Sequence, residues 1–344
     1  QGIGDEYLYA GGIWVGAKDY GMRRVSTSYW EFENRPHATD PVQTIYKSSE
    51  GMNNGKRHFD DDKDGMIDEE RRNGRDDDND GLIDEDFAAI SEQMFSSEYN
   101  DYQPEAFNNY PEHVPLYLDF YQESYAWSDQ GDFYIYHFEI TNNNDHFVED
   151  AYAGFYMDFD VVREGVPEWR NDNAEFNDFE YEGKTLSIAY TYDAEGFPNP
   201  TGYVGLLLLG YGITEPAADL KNHDRWSTHS VFSAFQTFPG GDPRDDWERY
   251  TAMSMNLGNV FTPTDVRQIS SVGPFRTFDP GEMIWVDMAI VIGEGQEGML
   301  ESALSAKQVY ESGYNVAVKE SDAEESVHER SVVRVLPDDS IKGS

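Results

Sequence analysis

The chain has 344 residues, with 67 acidic against 25 basic side chains and a formal net charge of −42. Nucleic acid and anionic membrane are poor partners for such a surface, and cations are good ones. The absence of cysteine excludes disulfides, thiolate metal sites and cysteine nucleophiles, and the apolar run Leu206–Leu209 is far too short to insert in a membrane.

In chain order, residues 7–32 read as two strands, "YLYAGGIWVGA" and "MRRVSTSYWEF", joined at "KDYG". The first residue is Gln1, which reads as a processed product or fragment with no signal peptide left to interpret. Residues 33–59 are irregular and polar, and an acidic repeat follows. "AAISEQMFSSEY" reads as a short helix.

From 116 onward, period-two alternation dominates. Leu116, Leu118 and Phe120 face one way, and Tyr117, Asp119 and Tyr121 the other. Ala153, Phe155, Met157 and Phe159 share a face opposite Tyr156, Asp158 and Asp160, which reads as an antiparallel strand with one wetter side. Residues 163–183 read as an acidic, Asn-rich loop. "TLSIAYTY", "GYVGLLLLG", "HSVFSAFQTF", "YTAMSMN", "VRQISSVG" and "EMIWVDMAIVIG" read as further strands. "EGMLESALSAKQVYESGY" has a helical apolar side at Leu300, Ala303, Leu304 and Val309, with Gly313 as its stop.

These signals predict an all-β fold: an antiparallel β-sandwich or jelly roll, with a long loop insertion and one C-terminal helix. Residues 1–314 form one domain in this reading, with 55–90 as the insertion. Residues 315–344 form an extended tail, and "SVVRVLP" within it is a candidate strand for self-association with a neighbouring copy.

The insertion contains "DDDKDGMIDEERRNGRDDDNDGLIDEDF" at 60–87. Fourteen of its residues are acids and four are bases. Calcium takes six to eight oxygen ligands, which a loop supplies from alternate carboxylates and a backbone carbonyl, with glycine at position 6 for the sharp turn. Asp60, Asp62, Asp64 and Gly65 fit this pattern, and Asp76, Asp78, Asp80 and Gly81 repeat it. The carbonyls of Met66 and Leu82 fall at position 7, and Asp68 and Asp84 at position 9. Ile67 and Ile83, at position 8, are expected to pin each loop to apolar neighbours. An EF-hand needs a bidentate Glu at position 12, where this chain has Arg71 and Phe87. The missing oxygens come from Glu69, Glu70, Glu85 or Asp86, or the second copy completes the first. The competing reading is a solvated acidic linker without an ion. Magnesium fits less well, since it keeps its waters.

"NDGLIDEDFAAISEQMFSSEY", "GIWVGA", "QESYAW", "DAYAGFYMDFDV", "GYVGLLLLG" and "GPFRTFDPGE…AIVIGEG" together resemble a large group of secreted bacterial surface proteins. These are often exported by the type IX route and carry a C-terminal sorting domain, for which no counterpart is visible in this sequence. The resemblance covers most of residues 5–313. It implies an extracellular, β-rich module with bound calcium and no established activity. The paired acidic loops are similar to those of thrombospondin type 3 repeats.

A second candidate calcium site comprises Asp158 and Asp160 at a strand end with Asp172, Asp178 and Asp193 beyond it. Its competitors are ordinary solvated acids and the carboxylate pair of a glycosidase. The eight histidines form no zinc pattern, and His137 reads as a structural residue within an aromatic strand. No phosphate-binding glycine loop or nucleophile motif is present. Most tryptophans fit packing positions, but Trp169 and Trp247 sit in polar contexts and are the candidates for stacking on a glycan. The leading expectation is a non-enzymatic, calcium-ordered module of a cell-surface adhesin, surface layer or filament. The alternatives are a carbohydrate-binding module and a glycoside hydrolase.

Overall fold

The alternation expected from sequence becomes fourteen strands and three helices in the computed structural model, which describes residues 7–29, 31–36, 43–52, 55–161, 170–194, 202–214, 224–258 and 260–315. Strands β1 (Ala10–Asp19), β2 (Met22–Thr27), β7 (Val148–Asp158), β11 (Thr228–Ser233) and β13 (Val266–Phe278) form a five-stranded sheet ordered β11-β13-β7-β1-β2. The other sheet has nine strands. They are β3 (Tyr46–Ser48), β4 (Gln93–Asn100), β5 (Leu118–Ala126), β6 (Phe133–Asn142), β8 (Asp172–Tyr181), β9 (Lys184–Asp193), β10 (Gly202–Ile213), β12 (Val260–Thr264) and β14 (Met283–Glu294). Their order is β12-β8-β9-β10-β14-β6-β5-β4-β3. Every ladder between these strands is antiparallel.

The sheets pack face to face over Ile13, Val15, Phe120, Phe138, Ile140, Phe155, Met157, Leu206 and Val286. Helix α3 (Gly295–Glu311) covers the outer face of the larger sheet, setting Met299, Leu300, Ala303 and Val309 on Ile135, Ile188, Leu207 and Val291. This explains "LLLL" in β10, which is buried on both faces and needs no polar alternation. Helix α2 (Asp246–Ser254) covers the smaller sheet, with Tyr250 and Met253 over Trp14, Tyr156 and Ile269. A short helix, α1 (Pro104–Asn109), lies between β4 and β5. The fold is therefore an all-β sandwich with the C-terminal helix in place. Among the described residues no helix is long and apolar enough to cross a membrane.

Four local expectations are corrected. The helix expected at 88–99 gives way to β4, whose backbone pairs with β5 from Gln93 to Asn100. "YTAMSMN" is not a strand: its first five residues complete α2, which starts at an Asp245 cap accepting the Glu248 N–H at 2.9 Å. The loop expected at 163–183 contains β8, held by ladders to β9 and β12 although its side chains are mostly polar. The wetter face of β7 is dry, because Trp14 stacks on Tyr156 at 4.7 Å beneath α2. "SVVRVLP" lies outside the described residues.

Candidate metal centre

The two copies of the acidic repeat adopt the same backbone path. Positive φ recurs at positions 4, 6 and 9: Lys63, Gly65 and Asp68 in one, Asn79, Gly81 and Asp84 in the other. Position 6 stands near φ +102 in both (103° and 101°), a region open to glycine and strained for other residues. The side chains fold inward alike. Asp60 accepts the Gly65 N–H at 3.2 Å, as Asp76 accepts that of Gly81 at 3.0 Å. Asp62 and Asp64 accept from Asp64 and Met66, and Asp78 and Asp80 from Asp80 and Leu82. Asp62, Asp64, Asp76, Asp78 and Asp80 thus order the turn with one oxygen and leave the other for a ligand, whereas Asp60 uses both, accepting the Lys63 N–H as well.

The copies face each other as a pseudo-two-fold pair. Asp62, at position 3 of the first, meets Asp80 and Glu85, at positions 5 and 10 of the second. Reciprocally, Asp78 meets Asp64 and Glu69, the same positions exchanged. In each triplet one oxygen per residue lies within 4.8 Å of the others, and Asp60, Asp62 and Asp64 form another such group within one copy. The position 11 acids cross over as well. Asp86 accepts the Asp61 N–H at 2.9 Å, and Glu70 accepts that of Asp77 at 3.0 Å. The copies therefore complete one another, and Glu69 and Glu85 join Asp62, Asp64, Asp78 and Asp80 as the converging donors.

The donor set fits a hard cation. Glu85 is only 6 % exposed, and neither carboxylate oxygen has a hydrogen-bond partner among the described residues. Burial, then Glu70, pushes its pKa up to about 7. Burial also raises Glu69 and Asp86, reinforced by neighbouring aspartates. Buried Glu69 Oε2, Asp68 Oδ1 and Asp76 Oδ1 likewise lack hydrogen-bond partners among the described residues. Of the position 9 residues, Asp84 turns into the protein, accepting the Asn73 and Gly74 N–H groups at 2.8 Å each and pairing with Arg72 at 3.0 Å. Asp68 accepts the His58 N–H at 2.8 Å.

Ile67 and Ile83 do not pin the loops, being 58 % and 61 % exposed beside the exposed Met66 and Leu82. Phe87 and the arginines anchor the loops instead. Arg72 lies over Phe87 at 5.3 Å, and Arg75 pairs with Glu98 at 3.1 Å. Arg71 occupies position 12 and reaches away from the acids to Glu139 on β6 while lying over Tyr121 at 4.3 Å. Glu139 and Asp287 flank His137 at 3.3 and 2.7 Å, and Tyr310 of α3 donates to Asp287 at 2.9 Å. Burial opposes a charged His137, but Asp287 and then Glu139 outweigh it and push its pKa up to about 10.

The second acidic region divides. Asp158 is 1 % exposed and pairs with Arg267 at 3.2 Å. Burial raises it to about 7 despite that arginine. Asp172 is raised further, to about 9, by burial with Asp160, Asp193 and Asp265 nearby. Asp178 does not join this group. It lies six residues along β8 from Asp172, roughly 20 Å at strand rise, and faces Arg225 at 3.8 Å. The sequence reading missed Asp265 and Arg267, paired at 2.8 Å; the only signal was "TDVR", charged residues at the start of an apolar strand. Trp169 lies outside the described residues, and exposed Trp247 carries Arg23 over its ring at 5.2 Å.

No known protein family's profile matches the chain, and no curated protein is significantly similar to it.

Proposed function

We propose that the protein is a non-catalytic, extracellular structural module of a bacterial surface protein, ordered by calcium bound in its acidic double loop. The observation that carries this reading is the reciprocal triplet pair, Asp62–Asp80–Glu85 and Asp78–Asp64–Glu69. Three carboxylates in such proximity repel one another unless a cation lies among them. The all-oxygen donor set suits calcium rather than zinc. Affinities of 10⁻⁴–10⁻³ M, on the order of those of extracellular modules, suit a medium where calcium is abundant. The glycosidase reading loses support, because Asp158 is buried against Arg267 out of a substrate's reach.

Calorimetric titration of the full chain with calcium tests the proposal. Binding is expected in the wild type, and loss of the double-loop sites in Asp62→Asn/Asp80→Asn with the β-sheet dichroism retained. Absence of binding at millimolar calcium would overturn it. Negative-stain micrographs then separate a layer or filament subunit from an isolated module.

A second reading, a carbohydrate-binding module, rests on one groove of ≈ 540 Å³ whose lining includes Phe95, Tyr134 and Tyr136 together with Gln122, Ser97 and Ser124. Aromatic faces beside amide and hydroxyl groups suit a sugar ring. Glycan-array binding that disappears in Tyr136→Ala would favour it.

A further inference from the structure

We propose that a second divalent cation of the calcium class binds at the junction of the two sheets, held by Asp172 with Asp193, Asp160 and Asp265, and clamps one sheet to the other. This site rests on residues separate from the double loop.

The ladder between β8 and β9 sets Asp172 directly opposite Asp193. Like charges so placed destabilise a sheet. On its other flank Asp172 pairs with Thr264, the last residue of β12. Asp265 follows, and Val266 begins β13 in the other sheet. Asp265 is therefore the single residue linking the sheets at this point. Asp160 arrives from the opposite direction, just beyond the end of β7, and the next N–H but one of the same segment, that of Val161 counted from Phe159, donates to Asp172 Oδ2 at 3.0 Å. Four aspartates from both sheets thus gather around one strand end, with Asp160, Asp193 and Asp265 all within electrostatic reach of Asp172.

An independent observation points to a ligand. Asp172 is 0 % exposed, and its Oδ1 has no hydrogen-bond partner among the described residues. A carboxylate oxygen removed from water without a donor is costly, and buried charges are ordinarily paired or bound to metal. Arg267 leaves this need unmet, because it is turned toward Asp158 at 3.2 Å, Asp242 at 3.8 Å and Asp265 at 2.8 Å. Calcium suits a set drawn from several carboxylates in irregular geometry, whereas magnesium demands a near-octahedral shell and retains waters.

Equilibrium dialysis of the full chain against calcium, with metal analysis, tests the assignment. Asp172→Asn is expected to bind one ion fewer per chain, and Asp178→Asn the wild-type number. Asp62→Asn/Asp80→Asn loses only the double-loop ions, so failure of one site is distinguishable from failure of the other. Asp172→Asn is also expected to melt below the wild type in calcium and above it in chelator, since the amide relieves the Asp172–Asp193 repulsion. An unchanged ion count in folded Asp172→Asn overturns the proposal. A proton shared between Asp172 and Asp193 would give that count, together with a higher melting temperature in both media. Should Asp172→Asn fail to fold, wild-type crystals soaked in terbium decide: an anomalous peak beside Asp172 supports the site, and none overturns it.

Discussion

The acidic double loop and the His137 network lie next to each other and are built from the same kinds of groups, yet they differ in where their countercharge comes from. Beneath the loop, Glu139 and Asp287 are met by His137 and Arg71 at hydrogen-bonding distance. The positive charge there belongs to the chain, partly as a proton on an imidazole. Within the loop, the arginines are directed elsewhere: Arg71 to Glu139, Arg75 to Glu98, and only Arg72 to an acid of the repeat, Asp84. The converging carboxylates must find their positive charge in solution. The balance of charge around buried acids, more than their burial, identifies where an external cation belongs.

The difference gives opposite responses to solution conditions. Chelation should act on the loop and spare the network. Calcium at 100-fold excess over its dissociation constant stabilises by about 2.7 kcal/mol per site, so for a chain of this length thermal melts should fall by roughly 4 °C per site on adding chelator. An unchanged melting temperature would show that the loop is as self-sufficient as the network.

Alkali should act on the network. The folded pKa of His137 stands near 10, above the ordinary 6.5. Its stabilisation is fully present below pH 6.5 and is lost as the pH rises toward 10. The loss is on the order of 5 kcal/mol once the titration is complete. Denaturant titrations from pH 6 to 10 should show that slope in the wild type and a flatter one in His137→Gln.

Arg71 joins the two regions. Arg71→Met removes one partner of a half-exposed pair and should cost about 1–2 kcal/mol, with calcium affinity weakened because the loop loses its tether. A stability loss without an effect on affinity would mean that the regions are independent. The smallest effect is expected of Ile67→Ser/Ile83→Ser. Both side chains are exposed, so the change in unfolding free energy should stay within about 0.5 kcal/mol. A larger loss would restore the apolar anchoring expected from their spacing.

Much of the sandwich was legible in the sequence because period-two burial is a local signal, as in Leu118 and Phe120 of β5. Strand β8 was not legible, since its Asn, Asp and Glu side chains disguise a backbone held by ladders on both sides. Nor was α2, whose nine residues carry too few apolar positions to outweigh a strand-like "YTAMS". Within the double loop, the repeated Gly and Asp positions were readable because each copy is contiguous. The exchange between copies was not. Glu69, Glu70, Glu85 and Asp86 are neighbours in an acid-rich run, and only the pairing of the two loops shows that positions 10 and 11 both approach the other loop's carboxylates while positions 11 also hold its backbone N–H groups.

Lys63, Arg71, Arg72 and Arg75 are also the residues a trypsin-like protease would seek in this segment. The three arginines are engaged by Glu139, Asp84 and Glu98, while Lys63 is exposed, so cleavage at the arginines is expected to follow opening of the double loop. The rate then follows the population of the open form when reclosing is fast. With calcium bound, that population falls in proportion to site occupancy. If calcium fills the double loop as proposed, the loop would work as a fuse, intact where calcium is plentiful and cut where it is scarce.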